Sequence, residues 1–103
     1  MDKLGRHVMI RDVPPDERPR ERMIQNGPSS LSNAELLAIL LRTGTSSHSA
    51  IHLAERLLAQ LGGLKGLTDG SVETLLEVKG IGPAKAVQVL AGVELGRRIS
   101  RVV

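Results

Sequence analysis

No cysteine and no Phe, Tyr or Trp occurs anywhere in this sequence. The first absence removes disulfides and thiolate metal sites, so bridges say nothing about the redox compartment. The second has a functional consequence: bases find no Phe, Tyr or Trp platform to stack on, which makes single-strand binding of the kind that OB-folds and RNA-recognition sheets use a poor candidate. Contact with the sugar-phosphate backbone stays open. Long apolar runs are missing too. The first 30 residues hold no signal-peptide core, and the longest apolar stretches fall far short of a membrane span, so no membrane partner is expected and the expected location is the cytoplasm.

What is there reads as one ordinary globular domain: 103 residues, 41% of them apolar, enough for a real but modest core. The net charge is +3, and its placement matters more than its size. Signs nearly balance over residues 1–31 and balance over 32–70. From Lys79 onward, Lys79, Lys85, Arg97, Arg98 and Arg101 face Glu94 alone. A basic excess at one end suits a nucleic-acid backbone, although a solvated surface is the plainer explanation of charge by itself.

Pattern along the chain points to an all-α fold of about five helices. Residues 1–15 mix charges with a few apolar side chains and end in Pro14-Pro15, which reads as a flexible lead-in to a domain over 16–103. Pro19 suits the first helical position of a short helix that Gly27 stops. Ser32-Asn33-Ala34-Glu35 is a capping box opening a helix to Leu41, with Leu36, Ile39 and Leu40 on one face. A further helix runs from Ser49 to Leu61 with Ile51, Ala54, Leu57, Leu58 and Leu61 at core spacing, ended by Gly62-Gly63. Leu64 and Leu67 are expected to be buried in a short helical turn. Ser71 then opens an element carrying Val72, Leu75, Leu76 and Val78, and a last helix runs from Pro83 to about Ile99, burying Ala86, Leu90, Val93 and Ile99 or close neighbours. A Ser-capped Leu-Leu helix, a glycine turn and a small-residue helix thus occur twice, offset by roughly 39 residues. Units 32–61 and 71–99 would pack about a pseudo-twofold and bury each other's apolar faces.

The candidate site is the turn Val78-Lys79-Gly80-Ile81-Gly82-Pro83-Ala84-Lys85-Ala86. Two glycines give the backbone conformations closed to residues with a Cβ, so successive N–H groups can surround a phosphate oxygen. Pro83 fits the first turn of the next helix, whose dipole adds positive potential, and Lys85 reaches the same place. Ile81 turns inward. The expected phosphate-binding set is Lys79, Gly80, Ile81, Gly82, Ala84 and Lys85. Thr43, Gly44 and Thr45 in the first turn, with Arg97 and Arg98, form a secondary set for DNA or a partner. The competing explanation of the glycine turn is a compact helix-helix connection.

The turn resembles the hairpin of helix-hairpin-helix DNA-binding modules. Together with Glu17 to Arg22, Leu31 to Thr45 and Glu94-Leu95-Gly96-Arg97-Arg98, it makes residues 14–98 resemble the N-terminal domain of the bacterial RadC family. The resemblance implies a helical domain similar to the second domain of the Holliday-junction protein RuvA, and a traditional link to DNA repair. It also implies a partner, because members usually continue into a C-terminal JAMM-type metal-binding domain with a His-x-His and a downstream Asp. Nothing in these residues supplies that motif, so no catalytic residue, metal or cofactor is expected here.

Other constellations are weaker. His48 and His52 stand at i and i+4 with Glu55 on the same face, yet no second ligand cluster accompanies them. Ser29, Ser30 and Ser32 have no base at a recognisable spacing, and capping accounts for Ser32. Gly80-Ile81-Gly82 lacks the third glycine and preceding strand of a dinucleotide fingerprint. Arg18, Arg20 and Arg22 either join a phosphate surface or pair with Asp16, Glu17 and Glu21. Two functions follow: a DNA-backbone-binding module that reads no base edges, or a protein-interaction domain that keeps the hairpin for its shape.

Overall fold

The computed structural model describes residues 18–41 and 47–102. Six α-helices and one 3-10 turn make up the described residues, and no strand is among them. The lead-in and the turn Thr43-Gly44-Thr45 lie outside them.

Local sequence sets the helix ends. Helix α1 (Arg18–Asn26) stops at Gly27, whose φ of 86° suits glycine and whose N–H donates to the Met23 carbonyl at 2.8 Å. A 3-10 turn over Pro28–Ser30 leads to α2 (Asn33–Leu41). Its capping box forms as expected: the Ser32 N–H donates to Glu35 Oε1 at 2.9 Å, and the Glu35 N–H donates to Ser32 Oγ at 3.1 Å. The other oxygen of Glu35 pairs with Arg22, so one carboxylate caps α2 and ties α1 to it. Arg22 therefore reaches across to α2 and not to Glu21, which accepts instead from Gln25.

Helix α3 (Ser47–Leu61) begins two residues before its expected start and ends at Gly62-Gly63, both at positive φ, with the Gly63 N–H returning to the Leu58 carbonyl. Helix α4 (Leu64–Asp69) is a full short helix, which raises the count above five. It buries Leu67 but leaves Leu64 half exposed, against expectation. Helix α5 (Val72–Leu76) has a second capping box, Ser71 with Thr74, at the position matching Ser32 with Glu35. Helix α6 (Pro83–Val102) is the longest.

The core gathers Leu37, Ala38 and Leu41 of α2, Ala50, Ala54 and Leu57 of α3, Leu67, Leu75, Val78, Ile81, and Ala86 and Val89 of α6. The buried face of α2 is thus rotated by one residue from the Leu36, Ile39, Leu40 face, and Leu40 is exposed. Ile99 is also exposed, because it falls on the outward face of α6 with Leu95 and Val102, away from the side that carries Ala86, Leu90 and Val93. Within the two long helices the order of core residues repeats: Ala50, Leu53, Ala54, Leu57 on α3 and Ala86, Val89, Leu90, Val93 on α6. Leu57 has no exposed surface, and its truncation to Ala would cost about 2–5 kcal/mol.

Two long-range hydrogen bonds cross-brace the halves. Arg56 of α3 donates from Nη1 to the Lys79 carbonyl at 2.9 Å, and Gln88 of α6 donates from Nε2 to the Leu40 carbonyl at 2.8 Å. Arg56 thus holds the turn after α5, and Gln88 holds the last turn of α2.

Candidate nucleic-acid interface

Between α5 and α6 the chain turns in a series of tight steps. The Glu77 N–H donates to the Thr74 carbonyl at 3.3 Å, Val78 to Leu75 at 3.0 Å and Ile81 to Val78 at 3.0 Å. Val78 and Ile81 are buried and anchor both sides of the bend, as expected of Ile81. Gly80 lies between them with φ 96°, so the backbone demands glycine, and a Cβ there would sit 2.9 Å from Leu53 Cδ1 and push that methyl aside. Gly82 differs from the expectation. Its φ is not positive, and a Cβ there would meet no heavy atom within 4 Å. Its smallness serves no internal contact and leaves open space beside the turn.

The Ala86 N–H donates to the Gly82 carbonyl at 3.0 Å, which makes Gly82 the N-cap of α6 and Pro83 its first helical residue. Glycine offers no side-chain oxygen for the first-turn amides, unlike the Ser32 and Ser71 caps of α2 and α5. Among the described residues, the N–H groups of Gly80, Gly82 and Ala84 have no acceptor. All three residues are exposed. Lys79 is exposed beside them with no ion pair among the described residues, and Lys85 is half buried in the first turn of α6. Orphan amides, the positive end of a 20-residue helix and adjacent lysines form an environment for an anion. Glu73 and Glu77 are exposed on the approach from α5.

The structure does not bring Arg97 and Arg98 to this turn. At a rise of about 1.5 Å per residue, Arg97 lies about 18 Å along α6 from Lys85. Arg97 donates to Glu94 Oε1 at 2.9 Å and to the Thr68 carbonyl, holding α6 against the end of α4; Arg98 donates to Glu94 Oε2 at 3.0 Å. These hydrogen bonds, the one from Arg98 foremost, hold the Glu94 carboxyl below its ordinary pKa. The secondary turn Thr43-Gly44-Thr45 is outside the described residues, as are the side chain of His48 and the segment with Asp16 and Glu17. Sequence reasoning missed Arg56, which lies against Gly80 and clamps Lys79; no local signal marks a contact so distant in the chain.

The N-terminal sequence model of the UPF0758 family matches residues 10–87, three quarters of the chain. The chain belongs to the UPF0758 family. The match bears out the resemblance to the N-terminal domain of RadC-family proteins. UPF0758 proteins similar to it include one from Geobacillus kaustophilus, 62% identical over 91 residues that cover 88% of this chain and 40% of that protein. Another, from Bacillus licheniformis, is 57% identical over 92 residues, 89% of this chain and 41% of the relative. A third, from Desulforamulus reducens, is 50% identical over 94 residues, 91% and 41% respectively. This chain therefore spans about 40% of the length of the curated relatives it matches. No solved structure is a significant match. Among the described residues no helix is long and apolar enough to cross a membrane, and no cluster of metal-ligating side chains occurs.

Proposed function

We propose that this chain is a sequence-independent DNA-backbone-binding module, a helix-hairpin-helix of a RadC-like cytoplasmic protein. One observation carries the reading: exposed amides of Gly80, Gly82 and Ala84 lack acceptors among the described residues, at a helix N-terminus whose cap has no side chain. One phosphate takes these amides, Lys79 and Lys85 neutralise its surroundings, and no base edge is read. Such contacts give weak binding, on the order of 10⁻⁴ to 10⁻⁶ M at physiological salt, that weakens steeply as salt rises. In the longer relatives the module would bring a C-terminal JAMM-type domain to DNA, in keeping with the link to repair.

A second reading, a protein-interaction module, has its own support. Val87, Leu95, Ile99 and Val102 leave an exposed apolar stripe along α6. Titration of the isotope-labelled chain with duplex and branched DNA at low salt separates the two. Amide shifts centred on Gly80 to Lys85 are expected. Their absence with every DNA shape refutes the binding module in favour of the interaction module.

A further inference from the structure

Arg56 reaches the turn from a different helix and a different unit of the fold. Its Nη1 donates to the Lys79 carbonyl at 2.9 Å and lies 3.6 Å from the position a Cβ on Gly80 would take. A guanidinium carries five N–H donors in a fixed plane, and among the described residues Lys79 is the one acceptor recorded for it. The residue is exposed and makes no ion pair among the described residues. One donor is thus held by the protein and the others are unclaimed beside the orphan amides.

Resting on the DNA-backbone reading above, we propose that Arg56 is a phosphate-binding residue of the same interface. It takes a phosphate oxygen of the strand gripped by the Gly80 to Lys85 turn. The bond to Lys79 makes this arginine suited to the task. A free surface arginine loses rotamer freedom when it binds, whereas a guanidinium already anchored to a carbonyl has lost much of it before the ligand arrives. Its planar fork also matches the oxygens of a phosphate, which an ammonium does not. The first unit of the fold thereby contributes charge to the second unit's site.

A structural role alone, clamping the turn, makes a different prediction from a phosphate contact. Each neutralised phosphate adds about 0.9 to the slope of log K against log[salt], so one contact fewer makes the loss of affinity between 50 and 200 mM salt smaller by a factor of about 3.5. Arg56→Gln keeps an amide donor for Lys79 but removes the charge. Arg56→Lys keeps the charge but not the fork. Duplex binding of the wild-type chain and both variants is measured by anisotropy over that salt range, with amide spectra confirming each fold. The expected result is a slope flattened by about 0.9 in Arg56→Gln and unchanged in Arg56→Lys, with weaker binding by both. A wild-type slope in Arg56→Gln overturns the assignment, whatever its affinity. Wild-type chain that binds no DNA overturns both the assignment and the reading of the site.

Discussion

Replacing Gly82 by Asp should separate binding from folding. With no positive φ and no heavy atom within 4 Å of a Cβ, the new side chain enters without strain. Gly82 is also the N-cap of α6, where Asp is among the favoured residues; the exchange is worth a few tenths of a kcal/mol, and its charge at the positive end of the helix about 0.3–1 kcal/mol more. The variant should therefore match the wild type in stability or exceed it by about 1 kcal/mol. Binding moves the other way. The carboxylate occupies the open space, accepts from the amides meant for phosphate and repels the incoming charge. Two like charges about 4 Å apart repel by about 1 kcal/mol in bulk water and about 4 kcal/mol at an effective dielectric near 20. At about 1.4 kcal/mol per factor of ten, affinity drops between about fivefold and about a thousandfold. Anisotropy of a labelled duplex at low salt reads the loss, and urea unfolding followed by far-ultraviolet circular dichroism reads the stability, since the chain has no Trp or Tyr to fluoresce. Affinity within about twofold of wild type, or a lowered urea midpoint, refutes the reasoning.

Gly80→Ala should do the opposite and damage the fold: strain at φ 96° costs about 1–3 kcal/mol, while the Leu53 methyl 2.9 Å from the new Cβ can turn aside at little cost, and a urea-measured loss below about 1 kcal/mol contradicts this. Glu35→Gln retains the cap but weakens the tie to Arg22, costing at most about 1 kcal/mol, while Glu35→Ala removes both and costs about 1 kcal/mol more by the same assay. Glu94 should titrate below the ordinary glutamate value, and Arg98→Ala should raise its midpoint, as followed by carboxyl carbon NMR. Because the folded value is the lower one, its contribution to stability is complete above the ordinary carboxylate range and disappears as pH falls through the folded value. A wild-type midpoint at or above that of free glutamate contradicts the arrangement.

What local chemistry dictates was legible in the sequence. The Ser32 cap, the stops at Gly27 and Gly62-Gly63, and Pro83 at the start of α6 each depend on residues within one turn of the feature. Phase was harder. In Leu36-Leu37-Ala38-Ile39-Leu40-Leu41 every position is apolar, so no polar residue marks the outer face, and packing alone selects Leu37, Ala38 and Leu41. Ile99 stands six residues beyond Val93, a step that turns it away from the buried face of α6, so its exposure follows from the helical period itself. The open setting of Gly82 was invisible, because glycine is written identically whether it is needed for its φ or for empty space. Arg56 with Lys79, Gln88 with Leu40 and Arg97 with Thr68 join residues far apart along the chain, and only the assembled fold brings them together.

The reciprocal straps from Arg56 to Lys79 and from Gln88 to Leu40 have a consequence for how the molecule comes apart. Melting either half frees the backbone carbonyl that its side chain holds in the other, so neither can persist as a stable stump, and denaturation should proceed in a single cooperative step. A chain nicked between Gly62 and Gly63 would yield two fragments, one without the strap on Leu40 of α2 and the other without the strap on Lys79. Mixed together, the fragments should recover their helical content, each acting as the other's missing brace.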